Sequence, residues 1–304
     1  MRKVLVLLAG VLAAALMFTS CDASPYAASV DGHDISVAYL YNQLKQWSAN
    51  RSWVTSFDSA NSSANGGSGT TVAGSGGPST YSSTFTADIL DTIVEFDIVH
   101  DYLLAHGRLP SPDELVAARA VNEYLRAQYW AQFSPSLRQF LVEQLADEAV
   151  LVPRSTDQAT IRSAYTQIKP YLFSQICLDE ASTTTQAAAL ALSFSARVNG
   201  VTVCLDQAAL EEEPADFRQA VLKLSPGQVS QPIRVSYGYQ VVQLVSRKAP
   251  GLSAGVEQVL SAATATSEPP ALSRILAKAK VKVNPEYGTW SNGQITPPRP
   301  VGGT

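Results

Sequence analysis

The spacing of apolar residues divides the chain into a helical first half and a second half of mixed periods. Val37, Leu40, Tyr41, Leu44 and Trp47 recur three and four apart, which is one face of an amphipathic helix, and Ser36 is placed to cap it. From about 58 to 84 the chain is dominated by Ser, Gly, Thr and Ala, which cannot bury enough apolar surface to offset their ordering entropy, so a flexible loop is predicted. The helical pattern resumes at Thr86, carries Ile89, Leu90, Ile93 and Val94, and stops at Gly107. Ser111-Pro112-Asp113-Glu114 opens the next helix: proline suits the first turn, and the acids face the positive end of the helix dipole. Ser134-Pro135 opens another, through Leu137, Phe140, Leu141 and Leu145.

Pro153 marks a change of pattern. A helix is predicted over 160–171, a strand at 175–178, an alanine-rich helix over 181–197 and a strand at 201–205. Phe217 to Arg247 then reads as helix, Ser225-Pro226-Gly227 turn, short strand through Val229 and Ile233 to Val235, a Tyr237-Gly238-Tyr239 turn, and a strand from Gln240 to Ser246. Beyond Arg247 a Ser/Ala/Gly/Pro segment leads to a helix at about 271–279, and Lys280 to Val283 alternates like an edge strand. The class predicted is α+β.

Composition narrows the function. A length of 304 residues suggests about two domains, and a net charge of −4 with no basic patch sets nucleic-acid binding aside. Three cysteines are too few for a disulfide-built scaffold. His33, His100 and His106 all precede Gly107; the last two flank Asp101 without completing a metal-ligand spacing, so no metal and no cofactor are expected. Glu211-Glu212-Glu213 reads as a solvated helix start. At the N-terminus Arg2 and Lys3 precede an apolar run from Val4 to Met17, too short to span a bilayer comfortably, so 1–20 is read as a signal peptide. Phe18-Thr19-Ser20-Cys21 resembles a bacterial lipobox, with Phe18 where leucine is usual. That resemblance implies lipidation of Cys21, a tether at 21–26, and an extracytoplasmic protein anchored to the cell membrane.

Several motifs converge on one family. V-D-G-x-x-I-S-V-x-x-L from Val30, G-R-L-P-S-P-D-E-L from Gly107, and V-x-V-N-P-x-Y-G-x-W from Val281 resemble the helical chaperone domain of SurA/PrsA-type foldases. L-x-x-G-x-V-S-x-P-I from Leu224, followed by Y-G-Y-x-V-V-x-L from Tyr237, is similar to the C-terminal half of a parvulin, or PpiC-type, peptidyl-prolyl isomerase domain. The resemblance implies a helical domain over 27–152 completed by both chain ends, a parvulin-like domain over 153–250 with a four-stranded antiparallel sheet, a C-terminal helix and strand over 251–290 returning to the N-terminal domain beside Ser29 and Val30, and a disordered tail over 291–304.

In that family two histidines anchor a polar network around the twisting amide. They fall here on Gln175 and Gln240; the pocket phenylalanine falls on Phe217 and the pocket methionine on Glu213. Glutamine donates and accepts hydrogen bonds but cannot titrate as an imidazole does. No catalytic residue is therefore assigned, and Phe217, Tyr237, Gln240 and Gln175 are kept as peptide-contacting candidates. Cys177 and Cys204 lie on strands that are neighbours in the parvulin topology, and an oxidising location permits a disulfide; two buried thiols are the alternative. Apolar and aromatic residues such as Trp47, Trp53, Phe57, Trp130 and Phe133 suit a promiscuous cradle, with ordinary core packing as the bland alternative. The function expected is a membrane-anchored chaperone or foldase for unfolded or exported polypeptides whose parvulin-like domain is inactive. An active peptidyl-prolyl isomerase, and a lipoprotein that binds one specific partner, stay open.

Overall fold

The computed structural model describes residues 26–54, 72–74, 80–267 and 269–298. The signal peptide, Cys21, most of the tether, Phe57 and much of the Ser/Gly-rich loop lie outside the described residues.

The chain forms an α+β structure whose described residues gather into two large hydrophobic clusters and a small third one around Ala189, Val198 and Val241. β1 (Tyr26–Val30) turns at Asp31-Gly32 into β2 (His33–Ser36), which leads into α1 (Val37–Ser48). Ser36 caps α1 by accepting from the Tyr39 amide at 3.1 Å. The loop expected over 58–84 is partly ordered: Ala73 bridges Tyr81, Val72 is buried, and Ser82 caps α2 (Ser83–Ala105) three residues before the expected start. The reason is local, because a serine hydroxyl accepting the Phe85 amide satisfies an otherwise orphaned donor. Ser111 and Glu114 form a reciprocal capping box on α3 (Pro112–Leu125). A 3-10 turn at Trp130–Gln132 precedes α4 (Pro135–Leu151), and α5 (Gln158–Ile168) follows.

The sheet unit comes next: β3 (Gln175–Thr183), α6 (Gln186–Ser193), β4 (Val201–Leu205), α7 (Gln207–Glu212), α8 (Ala215–Lys223), β5 (Ile233–Val235) and β6 (Gly238–Lys248). Its four strands are ordered β4-β3-β6-β5 and all paired antiparallel. β3 runs to Thr183, five residues past the expected strand, and α6 is correspondingly shorter than the helix expected over 181–197. Pairing with the long β6 extends β3, since Ala181, Ser182 and Thr183 lie opposite Val241, Gln240 and Tyr239. Gly238 begins β6 at φ 141°, and a Cβ there would stand 2.3 Å from the Thr183 carbonyl oxygen. Only glycine lets the two backbones approach at this corner.

After β6 the chain forms α9 (Ala254–Ala263), a helix the sequence reading passed over, then α10 (Pro270–Leu276) and β7 (Val281–Val283). β7 pairs antiparallel with β1, placing Val283, Lys282 and Val281 opposite Ala28, Ser29 and Val30. The tail expected to be disordered from 291 is a hairpin as far as 298: β8 (Thr289–Ser291) pairs with β9 (Gln294–Thr296). It is held because Ile295 is buried in the helical core and its amide donates to Asp91 Oδ1 at 2.7 Å. One hydrophobic cluster thus joins α1–α5 to α9, α10 and the C-terminal strands, while a second, around Phe173, Ile176, Phe217 and Leu244, belongs to the sheet unit.

Candidate functional site

Side chains alternate between the two faces of a strand, so register decides which residues of the sheet unit can act together. Gln240 lies opposite Ser182 and Gln175 opposite Lys248, seven residues further along β3. At about 3.4 Å per residue this separates the two glutamines by roughly 24 Å. Seven is also odd, and β3 itself carries no extra residue, so Gln175 and Gln240 project from opposite faces. The structure does not bring them together. Gln240 shares its face with Ile176, Leu178 and Val242, against which Phe217 packs. Phe217 is buried there as core, whereas Gln175 and Tyr237 are exposed to solvent.

The Gln240 amide is already committed. Its Nε2 donates to Glu180 Oε2 at 2.8 Å. Burial raises the Glu180 carboxyl above its ordinary range, Glu213 adds to the rise by like-charge repulsion, and the Gln240 hydrogen bond opposes it. This face therefore carries the Gln240 amide bonded to the Glu180 carboxylate, with the Glu213 carboxylate near it. Such a surface can bond a peptide's amides; it offers no imidazole pair.

Other residues of the unit are structural, and the sequence reading missed them. Gln243 Nε2 donates to the carbonyl oxygens of Gly227 and Ala196, and its Oε1 accepts from the Val198 amide. One buried amide thus pins two loops to the sheet. Arg247 reaches the end of α8, where Nη2 donates to the carbonyls of Val221, Leu222 and Leu224 at 3.2–3.4 Å, while Nη1 donates to Pro170. A guanidinium suits this place because the last carbonyls of a helix lack intrahelical partners and carry the negative end of its dipole. Cys177 and Cys204 lie opposite each other in register and are joined by a disulfide between β3 and β4.

Glu211 overturns the reading of 211–213 as a solvated helix start. It is buried where α7 meets α3 and α4. Its carboxylate accepts from Arg119 Nη1 at 2.7 Å and from Trp130 Nε1 at 2.9 Å, and Arg138 Nη1 lies 3.4 Å away. Beside it Glu123 faces Arg218 at 3.8 Å. Burial, reinforced by Glu211, pushes the Glu123 carboxyl up to about 7 against the opposing pull of Arg218, Arg119 and Arg138. A run of three glutamates cannot signal this, because its partners lie more than seventy residues away in the chain.

Of the residues proposed for an apolar cradle, Trp130 and Phe133 are core. Trp47 and Trp53 belong to the same core, with tilted rings whose centroids are 5.0 Å apart, and they also line a cavity of about 510 Å³ in the helical unit, together with Phe85, Leu125 and Leu145. Asp88, Asp91, Arg126 and Glu148 supply its charged wall. Arg126 lies over the Trp53 ring at 5.7 Å and donates from Nη1 to Asn122 Oδ1 at 2.7 Å. An open concavity of this size with aromatic walls and a few polar groups is the usual form of a binding site.

His100 bonds Asp147 at 2.8 Å and His106 the Tyr102 carbonyl at 2.7 Å. Among the described residues no cluster of three or more His, Cys, Asp or Glu side chains could hold a metal. No described helix is long and apolar enough to cross a membrane.

Residues 152–246 match the rotamase family model of the PPIC-type peptidyl-prolyl isomerase domain. A search of curated proteins found no match. Similar solved structures include one of two related SurA-like chaperones of Campylobacter jejuni, at 10% identity over 86% of this chain and 99% of that one, with a TM-score of 0.24. PrsA of Bacillus subtilis is 14% identical over 84% of this chain and 92% of its own, at a TM-score of 0.24. Foldase protein PrsA of Lactococcus lactis is 17% identical over 86% and 95%, at 0.25. Scores of this size do not establish a shared overall arrangement.

Proposed function

We propose that this chain, whose residues 152–246 form a PpiC-type parvulin domain, is an extracytoplasmic foldase or chaperone, held at the cell membrane through Cys21, that binds unfolded or exported polypeptides without catalysing prolyl isomerisation. One observation carries the reading: Gln240, in the place of a family histidine, is spent on Glu180, and Gln175 projects from the other face of the sheet about seven residues away. Rotation about a prolyl bond faces a barrier of roughly 18–20 kcal/mol, and lowering it requires donors converging on the twisted amide. Here the two positions cannot converge. The domain then serves as a peptide-contacting platform, and the aromatic cavity of the helical unit supplies the apolar surface a holding function needs.

The rival reading is an active isomerase, which the family match itself favours. Two assays on the purified chain separate them. Exchange of a proline tetrapeptide at the buffer rate, with suppression of aggregation of unrelated unfolded proteins, is the expected pair of results. Catalysed exchange would overturn inactivity, and failure to suppress aggregation would overturn the holding function. Mass measurement of the membrane-extracted protein tests the lipid on Cys21; an unmodified Cys21 would remove the anchor.

A further inference from the structure

The four-stranded sheet ends on one side in a strand with no further neighbour among the described residues. β4 stands outermost in the order β4-β3-β6-β5 and pairs with β3 alone. Cys177 and Cys204 face each other with their Cα atoms 4.0 Å apart, the close spacing of a pair that exchanges no backbone hydrogen bonds. The two kinds of pair alternate along an antiparallel ladder, so the amides and carbonyls of Cys204 and Thr202 point away from β3, towards the open edge. Among the described residues they meet no backbone partner there. Natural edges are blunted by charge, proline, a bulge or shortness. β5, at the opposite edge, is three residues long, carries Arg234 and follows Pro232. β4 has none of these devices: it is Val-Thr-Val-Cys-Leu, in unbroken register on β3, with Val201 71% exposed.

We infer that the outer edge of β4 takes an extended segment of unfolded polypeptide as a fifth, antiparallel strand. The inference deepens the holding function and rests on it. Main-chain hydrogen bonds supply the attraction whatever the sequence of the segment, which suits a holder of varied chains. Side chains supply a preference. Val201, Val203 and Leu205 lie opposite Glu180, Leu178 and Ile176, and Leu205 packs on the sheet unit's main cluster, so this face of the edge is apolar. Thr202 and Cys204 project from the other face. The segment that fits therefore alternates, with apolar side chains beside the valines and polar ones beside Thr202. The Cys177–Cys204 disulfide ties β4 to β3 covalently, so the strand stays in the sheet while its outer edge is engaged. A second copy of this chain fits less well. Stable dimers bury about 1,200–2,000 Å², and a strand of five residues, about 17 Å long, covers far less. Such a contact is weak and releasable, as holding an unfolded chain requires.

The test uses the whole soluble chain and three labelled, blocked nonapeptides of alternating valine and threonine, with binding read by fluorescence anisotropy. One peptide is unmodified, one is N-methylated at its threonine amides and one at its valine amides. In the antiparallel register the threonines share a face with Thr202 and Cys204, and their amides point at β4. Methylating them is expected to cost about tenfold in affinity, the loss of two or so backbone hydrogen bonds, while methylating the valines changes it by less than about twofold. Thr202→Pro removes an outward donor without touching the ladder to β3, and it should weaken the unmodified peptide to the same degree. An intact Cys177–Cys204 bond, read by mass, shows that β4 is still in place in that variant; Val201→Lys serves if it is not. Equal affinity for all three peptides, or loss on methylating the valines alone, overturns the proposal. So does a chain that is dimeric as it stands and monomeric as Thr202→Pro, because a second copy would then hold the edge. If no peptide binds yet aggregation of unrelated unfolded proteins is suppressed, edge capture falls and the holding function stands. Loss of suppression as well would bring down both.

Discussion

At the scale of single residues, long polar side chains do more of the organising than the sequence suggests. Arg247 follows a run of mostly β-favouring residues, and it gathers carbonyls from the end of α8 and from Pro170. Burial lowers its pKa, but it stays charged at any ordinary pH. Arg247→Met keeps the stem and leaves those carbonyls without a donor, so a loss of about 2–4 kcal/mol is expected in denaturant unfolding. Gln240 is the opposite case, a substitution plain in the sequence whose consequence is not. Replacing Gln240 by histidine is expected to leave tetrapeptide isomerisation at the buffer rate, because Gln175 projects from the other face and no second donor of that kind joins it. Catalysis by that single variant would show that the face needs only one imidazole.

Elements were legible where their pattern was long and capped. The serine-proline starts of α3 and α4 and the broad apolar face of α2 are found close to where periodicity places them. α9 leaves only a weak sequence signal: Val256, Val259, Leu260 and Ala263 recur at helical spacing, but small residues and a glycine dilute it. Packing against α3 and α4 overrides that weak propensity, as Val256, Val259 and Leu260 are all buried. Leu260→Ala should therefore cost about 2–5 kcal/mol, the range for emptying a packed core site, and a cost below 1 kcal/mol would mean that α9 is not docked. The seating of α7 on α3 and α4 hangs on one carboxylate. Glu211→Gln removes the carboxylate that Arg119 and Arg138 share, and about 3–5 kcal/mol of destabilisation is expected by the same measurement.

For the whole molecule, several carboxylates are kept above their ordinary range, and this sets the sign of the pH dependence. Burial holds Glu123 and Glu148 near 7 in the folded chain, against 4.5 for the exposed group. The folded state therefore binds these protons more tightly than the unfolded state. Their protonation stabilises the fold at low pH, and that contribution is lost as pH rises from about 4.5 through 7. Thermal unfolding is expected to occur at a higher temperature at pH 5.5 than at pH 8, and Glu123→Gln should flatten the difference by about 1–2 kcal/mol. A profile that rises towards pH 8 would mean that the arginines around Glu123 outweigh its burial.

The sequence by itself determined the α+β class, the long capped helices, the presence of glutamine at 175 and 240 and the lack of any histidine beyond His106. These are carried by residue identity and by periods of two or four residues, which neighbours in the chain specify. Only the tertiary structure decided which residues meet. It put Gln175 and Gln240 on opposite faces through the register of β3 on β6, drew Glu211 out of water to Arg119, and buried Trp47, Trp53, Trp130 and Phe133 in one core, the first two also lining a cavity. Register, burial and long-range ion pairing depend on contacts between segments tens of residues apart, and no local pattern records them.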